Sequence, residues 1–387
     1  LDRAISMLKS GTAFNKVRIG KELAYLVKSR VALYEGTFEK YHKGTPRVPG
    51  EQGWPGADKA YNSGKSFNID GEVSFFLTEA MNAAKEVADS HELTQNTMVM
   101  NPAINQIYGW NPYFEMFSMP TPGTLDEVIL WRDFDADLSV THGFMAYIQQ
   151  GGNNGMTKSY VDAFLMENGL PIYAANSGYK GDITIDQQKE DRDGRLQLFL
   201  FGETTVLGNE DSLQYYNAPE VVGLTEHRDR TGFRQRKSFC YDFAQIRNGV
   251  RGTNGIVTAR AAEAYLNYAE AAVRKSGGTC TDALALEKLN ELRHRAKIQA
   301  EDLSSFTLDY IFGERSRELY WEAFRRTDLI RFGKYSGNDY TWEFKNGTFP
   351  GSAVPKYREL FPIPASDIGA NPNLTQNPGY DNAVSNQ

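Results

Sequence analysis

The chain has 387 residues, with 41% hydrophobic and 24% charged positions, a composition that excludes disordered and fibrous classes. Its formal net charge is −7, and no basic block exceeds Arg325-Arg326, so a nucleic-acid backbone or an anionic membrane surface is not the expected partner. No run of about 18 apolar residues exists to span a bilayer. Aromatic residues reach 12%, and many stand beside Gly, Pro and Asn, where flat rings with polar edges suit ligand stacking.

The chain opens on LDRAISMLK, a helical pattern without a leading methionine; a processed or truncated start is expected. Period 3.6 predicts a first helical hairpin. Residues 17–35 place Ala24, Val27, Val31 and Tyr34 on one stripe, and residues 72–89 answer with Leu77, Ala80, Met81, Ala84, Val87 and Ala88. Between them, residues 36–70 hold six Gly and three Pro. A long insertion of this kind is usually functional, and it carries Trp54 and Tyr61.

Residues 100–255 change character. Gly- and Asn-rich loops alternate with segments that read as extended, EVILW at 127–131, RLQLFLF at 195–201 and FRQRKSFCYDF at 233–243. Trp131 is expected in the core. Trp110 and Tyr113 in YGWNPYF, and Tyr147 followed by Asn153 and Asn154 in QQGGNNG, are candidate ligand contacts; the rings would stack and the amides would serve sugar hydroxyls. A loop-anchoring role is the alternative for Trp110 and Tyr113. Asp133, Asp135 and Asp137 start like a calcium loop, but Leu138 and Phe144 stand where glycine and glutamate belong. His91-Glu92 lacks the second histidine of a zinc protease helix. Neither a nucleophile elbow nor a phosphate loop is present, and no cofactor or metal is expected. Cys240 and Cys280 fit no metal spacing and are read as free buried thiols, with a disulfide as the alternative in an exported protein.

A second hairpin is predicted at 258–275 (Ala262, Leu266, Ala269, Val273) and 282–296 (Leu286, Leu289, Leu292, Ala296). Gly277-Gly278 would stop the first helix, and Thr281 or Asp282 would cap the next. The alanine-rich stripes favour close helix stacking of tetratricopeptide type. ERSRELYWEAFRRTDLIRFGKY at 314–335 then interleaves charges and aromatics. Read as a helix, it pairs Glu314 with Arg317 or Glu318 and Asp328 with Arg325 or Arg331. A structural polar network of Glu314, Arg317, Arg325, Asp328 and Arg331 is the preferred reading over an anion site. The tail FPIPASDIGANPNLTQNPGY at 361–380 has no periodicity.

These last two segments resemble the C-terminal signature of the SusD/RagB-like family of surface glycan-binding lipoproteins of Bacteroidetes-type outer membranes. KSYVDAFLMENGLPI at 158–172 and DRDGRLQLFLFG at 191–202 are similar to its arginine-aspartate-x-arginine segment, with Arg192, Asp193 and Arg195 in place and Gly194 where proline is usual. AEAYLNYAEAAVR and LNELRHRAKI are similar to its C-terminal helix pair, and residues 18–36 match an earlier helix loosely. The resemblance implies a mostly α fold, a tetratricopeptide-like scaffold (1–99 and 256–335) with a loop-rich part (100–255 and 336–387) carrying small β elements, as one intertwined unit lacking the family's first helices. It also implies a non-enzymatic glycan binder at the cell surface, lipid-anchored through an N-terminal cysteine outside this chain, with a SusC-like TonB-dependent transporter as partner. Capture of peptides or another non-sugar nutrient is the alternative, and a glycoside hydrolase a further one.

Overall fold

The computed structural model describes residues 1–217, 219, 221–222, 228–247, 251–337, 341–345 and 347–380. The first part is helical: α1 (Asp2–Met7), α2 (Lys21–His42) and α3 (Ile69–Ala88). The middle holds short elements, α4 (Pro112–Glu115), β1 (Val128–Arg132), α5 (Phe144–Gln149), α6 (Lys158–Asp162), α7 (Ile185–Lys189), α8 (Gly194–Phe199), β2 (Val206–Gly208), β3 (Gln214–Tyr215) and α9 (Ala244–Arg247). Then come β4 (Ile256–Arg260), α10 (Ala261–Ser276), α11 (Ala283–Arg295), α12 (Leu308–Glu318) and α13 (Arg325–Arg331). The tail forms β5 (Thr341–Phe344), β6 (Gly347–Pro350) and α14 (Ala365–Ala370). Helices dominate, and among the described residues the strands form three two-stranded sheets, β1-β4, β2-β3 and β5-β6.

Both helical hairpins are present. Helix α10 is the hub, packing against α2, α3, α11 and α12. Every residue from Ala261 to Arg274 is buried, which the sequence stripe understates because a central helix has no solvent face. Gly277 ends it at φ 76, and Asp282 caps α11 by accepting from Ala285 N at 2.9 Å. Helix α2 runs seven residues beyond the expected end. Of the predicted stripe Ala24 is buried, but the buried face continues through Leu26, Ser29, Ala32, Leu33, Gly36, Thr37 and Glu39, and Val31 is exposed. The cause is a close approach to α3: a Cβ at Gly36 would lie 3.2 Å from Phe76 Cβ.

Residues 195–201, expected to be extended, begin as helix α8 because Asp193 caps it, accepting from Arg195 N. Residues 233–243 form no strand, only an isolated bridge of Gln235 to Leu200. The segment 314–331 is not one helix. It breaks between α12 and α13, and Trp321 and Ala323 sit at φ 63 and 65.

Two large cores result. One is aromatic and loop-built, around Trp110, Tyr113, Phe114, Phe199, Phe233 and Phe239. The other is helical, around Leu26, Val87, Leu266, Leu289 and Leu292. Trp131 belongs to the first, as expected. Cys240 and Cys280 are free and buried, and burial raises the Cys240 thiol to about 12.

Candidate functional site

Between the two cores lies a buried ionic network. Antiparallel pairing of Val128 with Arg260 sets Glu127 beside Arg260, whose guanidinium reaches Glu127 at 2.7 Å, Glu318 at 2.6 Å and Glu322 at 2.6 Å. Arg295 bridges the same Glu127 and Glu318, both at 2.6 Å. Arg195 holds Asp193 at 2.7 Å, Glu314 at 2.6 Å and Glu318 at 3.0 Å. Arg317 pairs with Glu314 at 2.9 Å, and Lys237 with Glu322 at 2.6 Å. Five carboxylates thus meet five cations, which is the condition under which buried charge is tolerated. Burial alone would raise Glu314; Arg195 and Arg317 outweigh it and hold the carboxyl at about 2. Glu318 is held lower still by Arg295, Arg260 and Arg195 against the same burial.

A second cluster ties α10 to α13. Glu270 binds Arg274 at 2.7 Å and Arg331 at 2.6 Å, and Asp328 binds Arg331 at 2.7 Å and Arg315 at 3.0 Å. Arg325 departs from the expected bridge. It donates to Phe312 O at 3.4 Å and lies 4.1 Å from the Phe312 ring, while Asp328 is taken by Arg315 and by Arg331, the other expected partner.

Two sequence candidates are corrected by burial. Trp110 and Tyr113 are 4% and 1% exposed. Trp110 walls in the Arg236 guanidinium together with Phe114, Phe201 and Tyr241. The Tyr113 ring lies 4.2 Å from the Arg295 guanidinium, and its hydroxyl donates to Glu318 at 3.4 Å. Each ring faces a buried cation, so neither is offered to a ligand.

The remaining candidates lie on two loops. In the insertion, Trp54 is half-buried, edge-on to Phe67 at 5.1 Å, while Tyr61 is exposed. In the other loop, the Tyr147 hydroxyl donates to Gly152 O, and Asn154 Nδ2 donates to the same oxygen at 3.3 Å. Asn153 Oδ1 is buried without a hydrogen-bond partner.

Just beyond Asn154 the chain enters an open groove of about 840 Å³, within the usual range of ligand pockets. Gly155, Thr157, Ser159 and Tyr160 line one wall; Ser316, Tyr320, Trp321, Arg325 and Arg326 line the other. Thr157 caps α6, accepting from Tyr160 N at 3.3 Å, and this presents the Tyr160 ring to Tyr320 at 5.7 Å and 30°. Trp321 continues the row at 6.2 Å from Tyr320. The Tyr320 hydroxyl donates to Gln235 Oε1 at 3.2 Å. The groove's carboxylate, Asp328, is already committed to Arg315 and Arg331. The insertion reaches this neighbourhood through the tail: Arg47 pairs with Glu359 at 3.1 Å, and Arg358 O accepts from Arg326 at 2.9 Å. Among the described residues no three His, Cys, Asp or Glu side chains converge to hold a metal ion.

Sequence reasoning missed Tyr160 and Trp321 as possible contacts. A helical reading of 314–331 assigns Leu319, Tyr320, Ala323 and Phe324 to an apolar face and conceals the turn that exposes Trp321.

Comparison with known proteins decides the family. The description of the SusD family matches residues 126–380. The chain belongs to the SusD family. Over 121 residues it is 42% identical to the starch-binding protein SusD of Bacteroides thetaiotaomicron, covering 31% of this chain and 21% of that protein. The matched stretch therefore spans about a fifth of the curated relative. A SusD-like protein of Bacteroides fragilis superposes with a TM-score of 0.60 at 20% identity, over 98% of this chain and 69% of that one. Surface glycan-binding protein A of Bacteroides thetaiotaomicron, solved with laminarihexaose, superposes with a TM-score of 0.52 at 16% identity, over 96% and 67%. These likenesses establish the SusD-like fold, with its helical hairpins and small sheets.

Proposed function

We propose that this SusD-family chain captures an oligosaccharide without covalent chemistry and passes it to a TonB-dependent outer-membrane transporter of the SusC type. The observation that carries the reading is the exposed Trp321 ring and the half-buried Tyr160 ring along an open groove, with the buried Tyr320 packed between them. The two rings can bury apolar faces of sugar rings while the exposed Ser159 and Thr157 serve hydroxyls. Glycoside hydrolysis needs two carboxyl groups about 5–9.5 Å apart across the bond, and Asp328, held by two arginines, is the groove's one carboxylate among the described residues. Tyr147, Asn153 and Asn154 lead into the groove and extend the site, and Trp54 and Tyr61 offer a further surface on the insertion.

The reading places the protein at the cell surface, anchored by lipid outside this chain; among the described residues no helix is long and apolar enough to cross a membrane. A glycan array run beside a peptide library tests it. Glycan binding that Trp321→Ala abolishes is the expected result, and binding of peptides alone would replace it with the non-sugar reading.

A further inference from the structure

Two arginines in the groove stand apart from the rest of their segment. Arg315, Arg317 and Arg331 each hold a carboxylate. Arg325 and Arg326 line the groove without one among the described residues. Arg325 has Phe312 O at 3.4 Å and the Phe312 ring. Arg326 donates to Arg358 O at 2.9 Å and the Tyr335 hydroxyl at 3.3 Å, and lies 4.2 Å from the Phe361 ring. These neutral acceptors leave neither guanidinium in an ion pair among the described residues, on the wall of a groove in a chain of net charge −7.

A guanidinium fork matches carboxylate and sulfate oxygens in pairs, and the match strengthens where water is partly excluded. Burial lowers the pKa of Arg325, which Tyr160 and Asp328 only partly restore; an arriving anion would relieve that cost. Ser316 Oγ, on a residue 7% exposed, is buried in the same wall with no hydrogen-bond partner. Trp321 and Ala323 keep left-handed backbone there, a conformation unfavourable for non-glycine residues that tends to persist at functional positions.

We infer that the groove takes an anionic saccharide, with Trp321 and Tyr160 stacking on rings and Arg325 and Arg326 clamping a carboxylate or sulfate on the sugar. The inference rests on the glycan-binding reading above and names its ligand class.

Calorimetry on the whole chain with four probes tests it: tetragalacturonic acid, its methyl ester, a chondroitin sulfate tetrasaccharide and laminarihexaose. At least one anionic probe should bind roughly tenfold or more tightly than either neutral probe, the scale of one hydrogen bond to a charged group. Added salt at about 0.5 M should erode that preference. Arg326→Gln should bring the ratio towards one by lowering affinity for the anionic probe. Arg325→Gln should do the same, and if circular dichroism shows it misfolded, Arg326→Gln carries the test. Whether the uronate or the sulfate binds more tightly identifies the source of the charge. Equal affinity for charged and neutral probes overturns the inference and leaves glycan capture standing. Binding of none of the four, with other glycans retained on an array, overturns it equally; an array without any hit takes the glycan reading down too.

Discussion

Arg195 and Glu314 meet at 2.6 Å across 119 residues of sequence, joining the loop-built aromatic core to helix α12. Both side chains are almost wholly buried, so the pair links two halves of the fold in a region that water does not reach. Removing one partner strands the other charge in low dielectric, which costs about 3–5 kcal/mol. Arg195→Ala is therefore expected to lose that much stability in urea melts. Arg195→Met with Glu314→Leu should recover little of it, because Asp193 and Arg317 each lose an ion-pair partner as well.

The same network sets an acid limit. Glu314 titrates near 4.5 when unfolded and near 2 when folded. Its stabilisation is complete above about pH 4.5 and is lost as pH falls from there through about 2. A shift of this size is worth about 3 kcal/mol, and Glu318 and Glu270, also depressed by arginines, titrate in the same direction. Urea midpoints at pH 5, 4 and 3 should fall progressively, and Glu314→Gln should flatten that slope. A flat wild-type profile would contradict the ion-pair account.

Glu39 behaves in the opposite sense. It is 2% exposed, its Oε2 has no hydrogen-bond donor, and burial together with Glu72 and Glu35 lifts its carboxyl to about 7. The folded chain keeps this proton where the unfolded chain has released it, so stability falls as pH rises from about 4.5 to 7. Glu39→Gln should raise stability by about 1–3 kcal/mol at pH 8 and by little below pH 4.5. Thermal melts at the two pH values measure the difference.

Local patterns made the scaffold legible. The alanine and leucine stripes at 262–273 and 286–296, Gly277 and Asp282 mark α10, its stop and the start of α11 because those signals act within one or two turns. Trp110 and Tyr113 were not legible, since their burial depends on Arg236 and Arg295, which arrive from 126 and 182 residues away. Asp193 turned an apparently extended run into α8 through a single cap. Most instructive is the segment after Glu318: residues compatible with a continuous helix are turned instead into left-handed backbone, and the groove exists because of that break. Helix propensity carries no sign of it, because the network that anchors Glu318 and Glu322 to Arg260 overrides the local preference.

The two tryptophans Trp110 and Trp321 should therefore separate stability from binding. Trp110, 4% exposed, closes the wall around Arg236, so Trp110→Ala leaves a cavity beside a buried cation and should cost about 3–5 kcal/mol. Trp321, 40% exposed at φ 63, loses less packing when removed, and glycine relieves its left-handed backbone while adding unfolded-state entropy. Trp321→Gly should thus stay within about 1 kcal/mol of the parent chain and yet abolish glycan retention in affinity electrophoresis. The discriminating result is the crossed pattern: a destabilised Trp110→Ala that still binds at low temperature, and a stable Trp321→Gly that does not. If Trp321→Gly retained full binding, the aromatic row would be reduced to structural packing, and the exposed loop around Tyr147 and Asn154 would become the surface to test next.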